Sequence, residues 1–163
     1  MTTRLAQEIH VPHVFKYAEQ TNSYADLFEG AFETDVISMA NYERCTFILQ
    51  KATGATATAT LHVCSCDDVT PSTTTSVPFD YWICTSADTY SDKATTTTTV
   101  GLTTTAGADQ MYILEVNSNE LNGSDKFVQL VAIEGTDSPC DGTVICILSN
   151  GRYIHEVPST VLA

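Results

Sequence analysis

The stretch KATGATATATLHVCSCDD, residues 51–68, alternates with a period of two over most of its length. In an extended strand successive side chains point to opposite faces. Ala55, Ala57, Ala59, Leu61 and Val63 therefore share one face, while Thr56, Thr58, Thr60, His62, Cys64 and Cys66 share the other. One face is apolar and needs a core. The other carries hydroxyls ending in an imidazole and two thiols, so the segment reads as a half-buried strand whose thiols need a purpose.

Working outward, similar strands occupy most of the chain. ERCTFILQK (43–51), ATATATLHVCS (55–65), PFDYWICTS (78–86), ATTTTTVGLT (94–103), QMYILEVN (110–117), KFVQLVAIE (126–134) and GTVICILS (142–149) are short and rich in β-branched and aromatic residues. Close spacing of such segments predicts an all-β sandwich or barrel. Asn122-Gly123 and Asn150-Gly151 are tight-turn dipeptides, and DDVTPSTTTSVP (67–78) reads as a loop. Asn122-Gly123-Ser124 also fits a glycosylation sequon, but the turn reading accounts for it more simply. Helix is confined to one turn within YADLFEGAFETD (24–35), which Gly30 interrupts. Threonine, about a sixth of the chain, reads as strand-forming material, with Thr95–Thr99 on a solvent-facing or edge strand.

The 163 residues suit one domain, since a chain of this length buries roughly 70% of its unfolded surface. Residues 24–163 are assigned to that sandwich domain and residues 1–23 to an extended N-terminal arm. The arm carries Val11, Val14, Phe15 and Tyr17, more apolar surface than a solvated tail needs, so these four are the candidate interface residues.

With 7 basic and 20 acidic residues the formal charge is -13, the wrong sign for gripping phosphate backbones or anionic lipid. Nucleic acid and membrane surfaces are set aside as partners. The N-terminal MTTRLAQEIHVPHVFKY lacks the apolar core of a secretory signal, which predicts synthesis in a cytoplasm. Six cysteines sit awkwardly with that, because disulfides persist mainly on secreted proteins and on cell or virion surfaces.

No nucleophile elbow, phosphate loop, dinucleotide fingerprint or zinc-protease helix is present, and His10, His13, His62 and His155 are not set beside a cysteine as base and nucleophile. The expectation is a protein that is not an enzyme and holds no cofactor. His62, Cys64 and Cys66 are soft enough to bind zinc or copper, but ligands at such spacing span about 13 Å of strand and cannot meet one ion without a bend. No metal site is assigned. Disulfide candidates are Cys45, Cys64, Cys66, Cys84, Cys140 and Cys146; buried free thiols are the alternative. Cys64 and Cys84 would fall opposite each other if their strands were neighbours, and Cys140, in DSPCDG, is expected at the surface, available for a bond between subunits.

The segments ANYERCTFILQK (40–51), ATLHVCSCDD (59–68) and AGADQMYILEV (106–116), in that order, resemble capsid decoration, or cement, proteins from the head modules of tailed bacteriophages. The resemblance covers about residues 35–153, and the cysteines depart from it, standing where valine, alanine or threonine is usual in such proteins. It implies an antiparallel β-sandwich of jelly-roll type, acting as a homotrimer on the outer capsid surface of the virion. The implied partners are the major capsid protein and further copies of the chain. It also implies that thiols made in a reducing host cytoplasm meet oxidising surroundings after lysis. Two other readings stand beside it: a tail-associated or receptor-binding β module, and a metal-binding or redox protein built on Cys64 and Cys66.

Overall fold

The computed structural model describes residues 9–14, 26–28, 30–52, 56–86 and 88–152. Among them the strands are β1 (Ala31–Glu33), β2 (Ile37–Ser38), β3 (Tyr42–Lys51), β4 (Thr58–Cys66), β5 (Thr74–Val77), β6 (Asp80–Ser86), β7 (Thr89–Tyr90), β8 (Ala94–Thr95), β9 (Leu102–Thr103), β10 (Gln110–Asn117), β11 (Phe127–Thr136) and β12 (Gly142–Gly151). They form two antiparallel sheets. The first runs β1-β11-β4-β5, with β2 also on β11 and β9 also on β4; the second runs β12-β3-β10-β6-β7, with β8 also on β6.

Four pairings nest in sequence: β1 with β11, β3 with β10, β4 with β9, and β6 with β8. Successive pairs alternate between the two sheets. This is one long hairpin rolled on itself, the jelly-roll winding expected above. Strand β12 is an addition to it, laid antiparallel on β3 at the edge of the second sheet.

The alternation that identified β4 is realised in three dimensions. Ala57, Ala59, Leu61 and Val63 are fully buried. Across the core lie Cys45, Phe47 and Leu49 of β3, Tyr112, Leu114 and Val116 of β10, and Val144, Cys146 and Leu148 of β12, all in the same apolar cluster. Burial of each large apolar side chain contributes about 1.5–3 kcal/mol relative to exposure, which makes this inter-sheet layer the main source of stability.

Threonine has a more specific structural use than strand propensity. Thr34, Thr96 and Thr104 are buried, and each follows a short strand. Thr34 N donates to Leu130 O and its Oγ1 accepts from Leu130 N, both at 3.0 Å. Thr96 makes the same reciprocal pair with Phe79 (2.9 and 3.1 Å), and Thr104 with Ala59 (2.8 and 2.9 Å). In each case the hydroxyl takes the place of the threonine's own carbonyl in the ladder. The backbone can then turn away without orphaning the neighbour's N–H.

Several segments differ from the sequence reading. The run 94–103 is two strands in different sheets, β8 on β6 and β9 on β4. A turn over Thr98–Val100 and Gly101 at φ +65 separate them. Gly101 packs so closely that an added Cβ would lie 2.6 Å from Leu61 O, which only glycine accommodates. The expected loop 67–78 contains β5 on the free edge of β4, and residues 24–35 supply a turn at Leu27–Phe28 followed by β1.

Part of the N-terminal arm lies on its own sandwich. His10 and Leu148 exchange backbone hydrogen bonds of 2.9 and 2.8 Å, and the His10 ring stacks on Tyr42 at 6.0 Å. Val14 is 3% exposed and belongs to the main core, so it does not serve as a contact for another subunit; Val11 is 55% exposed. Phe15 and Tyr17 lie outside the described residues.

Candidate interaction face and cysteine sites

Strand β3 buries Cys45, Phe47 and Leu49, so Arg44, Thr46, Ile48 and Gln50 point away from the core. The ladder aligns this outward set across four strands. Ile145 of β12 stands opposite Ile48, Ile48 opposite Ile113 of β10, and Ile113 opposite Trp82 of β6. At the usual strand spacing this apolar row runs about 14 Å across the sheet. Ile145 is 44% exposed, and Ile48, Ile113 and Trp82 are half-buried. Ile147 and Met111 extend the row into a patch holding the chain's sole tryptophan.

One side of the patch is rimmed by charge. Glu115 accepts from Thr46 Oγ1 at 3.4 Å and pairs with Arg44 Nε at 3.4 Å. Asp80 pairs with Lys93 Nζ at 2.8 Å and accepts from Thr95 Oγ1. The hydrogen bond from Lys93, then that from Thr95, hold the Asp80 carboxyl below its ordinary range. An apolar centre with a polar rim is an arrangement common at protein-binding surfaces.

The outward face of the first sheet carries the thiols that opened the question. Cys64 and Cys66 are buried, as is neighbouring Gln129, which donates to Thr34 O at 2.7 Å. Burial, then the nearby Glu33 carboxylate, pushes the Cys64 thiol up to about 11. Burial, followed by Cys64 and surrounding carboxylates, pushes Cys66 up to about 12. Thiols held protonated in this way are poor nucleophiles and poor metal ligands at neutral pH. His62 Nδ1 instead meets Ser76 Oγ at 3.2 Å. Among the described residues, the one group of three candidate ligands within 4.8 Å of one another is Asp26, Glu134 and Asp137; His62, Cys64 and Cys66 are not brought into such a group.

Two cysteine expectations are corrected. Cys64 cannot face Cys84: β4 and β6 lie in different sheets, and the two thiols point outward on opposite sides of the sandwich. Cys140 is fully buried, not surface-exposed, because the turn around it is tied inward by Leu27 N to Cys140 O (2.6 Å) and Ala52 N to Asp141 O (2.8 Å). Beside it Lys51 is also buried, its ammonium donating to Ala57 O at 2.6 Å and Thr105 O at 3.2 Å. All six cysteines are free thiols. The pair brought together is Cys45 and Cys146, with Sγ atoms 3.4 Å apart inside the inter-sheet core.

Sequence reasoning overlooked the apolar row, although a signal was there. FIL (47–49), YIL (112–114) and VICIL (144–148) are unbroken apolar runs within strands, where a one-sided strand would alternate as 55–63 does. Compared with protein-family models, with curated proteins and with solved structures, the chain matches none.

Proposed function

We propose that this chain is a structural, non-enzymatic binding protein of a tailed-bacteriophage virion. In this reading it sits on the outer surface of the icosahedral shell, as a homotrimer, and stabilises contacts between capsomers of the major capsid protein. The observation that carries the reading is the row Ile145, Ile48, Ile113 and Trp82, an apolar strip on the outward face of a jelly-roll sheet with charged pairs at its rim. The order of segments that resembles cement proteins supports it, as does the formal charge of -13, which suits a shell exterior and not packaged DNA. Bonding between subunits through Cys140 drops out of the proposal, because that thiol is buried.

Quantitative mass spectrometry of purified particles is the test. A copy number comparable to that of the major capsid protein is expected. A handful of copies per particle would favour the tail-associated module, and absence from the particle would overturn a virion role altogether.

A further inference from the structure

We propose that Cys45 and Cys146 form a built-in cross-linking site, closed as an intrachain disulfide by a low-molecular-weight disulfide oxidant. The inference does not depend on what the outer face binds. Cys45 lies opposite Leu148 and Cys146 opposite Phe47, so the two thiols are diagonal neighbours on the inward face of adjacent antiparallel strands. Their sulfurs are 3.4 Å apart, and both residues are fully buried. Among the described residues no other two cysteine sulfurs are in such contact: Cys66 meets Cys64 O, Cys84 meets Ser86 O and Cys140 meets Asp141 O.

The location gives the bond a purpose. Strand β12 is the element added outside the nested jelly-roll pairs, and it lies at a sheet edge. A bond from Cys146 to Cys45 ties it covalently to β3, closing a loop between residues 101 apart in sequence.

The reaction balances as thiol–disulfide exchange. The Cys146 thiolate attacks the oxidant RSSR and displaces one RS⁻, leaving a mixed disulfide on Cys146. The Cys45 thiolate then attacks the Cys146 sulfur and expels the second RS⁻. Two protein thiols lose two protons and two electrons, and the oxidant becomes two RSH. Burial keeps both groups out of reach in the closed fold, so exchange proceeds when the edge strand opens locally.

The test uses the full chain incubated with oxidised glutathione, with and without urea below the unfolding midpoint. Unfolding in the presence of an alkylating agent then counts the free thiols by mass. The expected product takes up two fewer alkyl groups than the reduced chain's six, forms faster in urea, and runs as a single chain on a denaturing gel without reductant. Digestion with trypsin and an Asp-directed protease separates Cys140 from Cys146 at Asp141, and should yield the 45–51 peptide linked to the peptide holding Cys146. The variant carrying both Cys64→Ser and Cys66→Ser should still cross-link. Six alkylatable thiols after oxidation, or a linkage through any other cysteine, would overturn the proposal; the peptide map of the unmodified chain decides this even if a variant fails to fold.

Discussion

At the scale of the residue, the buried threonines make the sharpest claim. If the Thr104 hydroxyl replaces a backbone acceptor for Ala59 N, then Thr104→Val, similar in shape but without the oxygen, leaves a buried N–H unpaired. The expected cost is about 1–3 kcal/mol in urea unfolding, and Thr104→Ser should recover much of it. A neutral Thr104→Val beside a costly Thr104→Ser would mean that the methyl group, not the hydroxyl, matters. The thiols make a second claim, on pH. Cys64 and Cys66 titrate in the fold near 11 and 12, above the ordinary thiol value of 9.0, so the unfolded chain releases their protons first. Their contribution is fully present below pH 9 and is lost as pH rises toward 11 to 12. The double substitution Cys64→Ser, Cys66→Ser should therefore flatten the alkaline limb of a stability–pH curve; an unchanged limb would place the sensitivity elsewhere. Sequence showed that Thr58, Thr60 and Cys64 share a face, but not which threonines would be buried, because that depends on where each short strand leaves its sheet.

At the scale of the element, strand identity was readable wherever apolar periodicity was strong. QMYILEVN, expected as a strand over 110–117, is β10 with those bounds, and the inward face predicted for β4 is the face that is buried. The threonine-rich 94–103 misled because its residues carry strand propensity without an apolar period. Nothing local says that Thr95 and Leu102 belong to different sheets. The crossing is written in Gly101, whose φ of +65 and close approach to Leu61 O exclude a side chain. Gly101→Ala should lower stability by more than about 1 kcal/mol, measured by thermal or urea unfolding. A neutral substitution would show that this crossing can relax. Cysteine placement failed for a related reason: pairing Cys64 with Cys84 assumed that strands close in sequence are adjacent in space, whereas rolling the hairpin sends β4 and β6 to opposite sheets.

At the scale of the whole molecule, the winding follows from where apolar faces must go, and it leaves an apolar row at the centre of one outward face. Strands of the second sheet that read as unbroken apolar runs have two faces to bury, and one of them meets the core. The other is the row from Ile145 to Trp82, and the functional reading rests on it. The measurement that tests it most directly is cosedimentation of the purified chain with undecorated phage shells, the partner proposed above, taken from the source of the sequence, comparing the native sequence with a variant carrying Ile48→Asp and Ile113→Asp. Both side chains point away from the core, so the variant should keep the strand-dominated circular dichroism spectrum and lose shell binding by at least tenfold, about 1.4 kcal/mol, as expected when charge is set into the centre of an apolar contact. Undiminished binding by a folded variant would contradict the account and put the contact surface on another face of the sandwich.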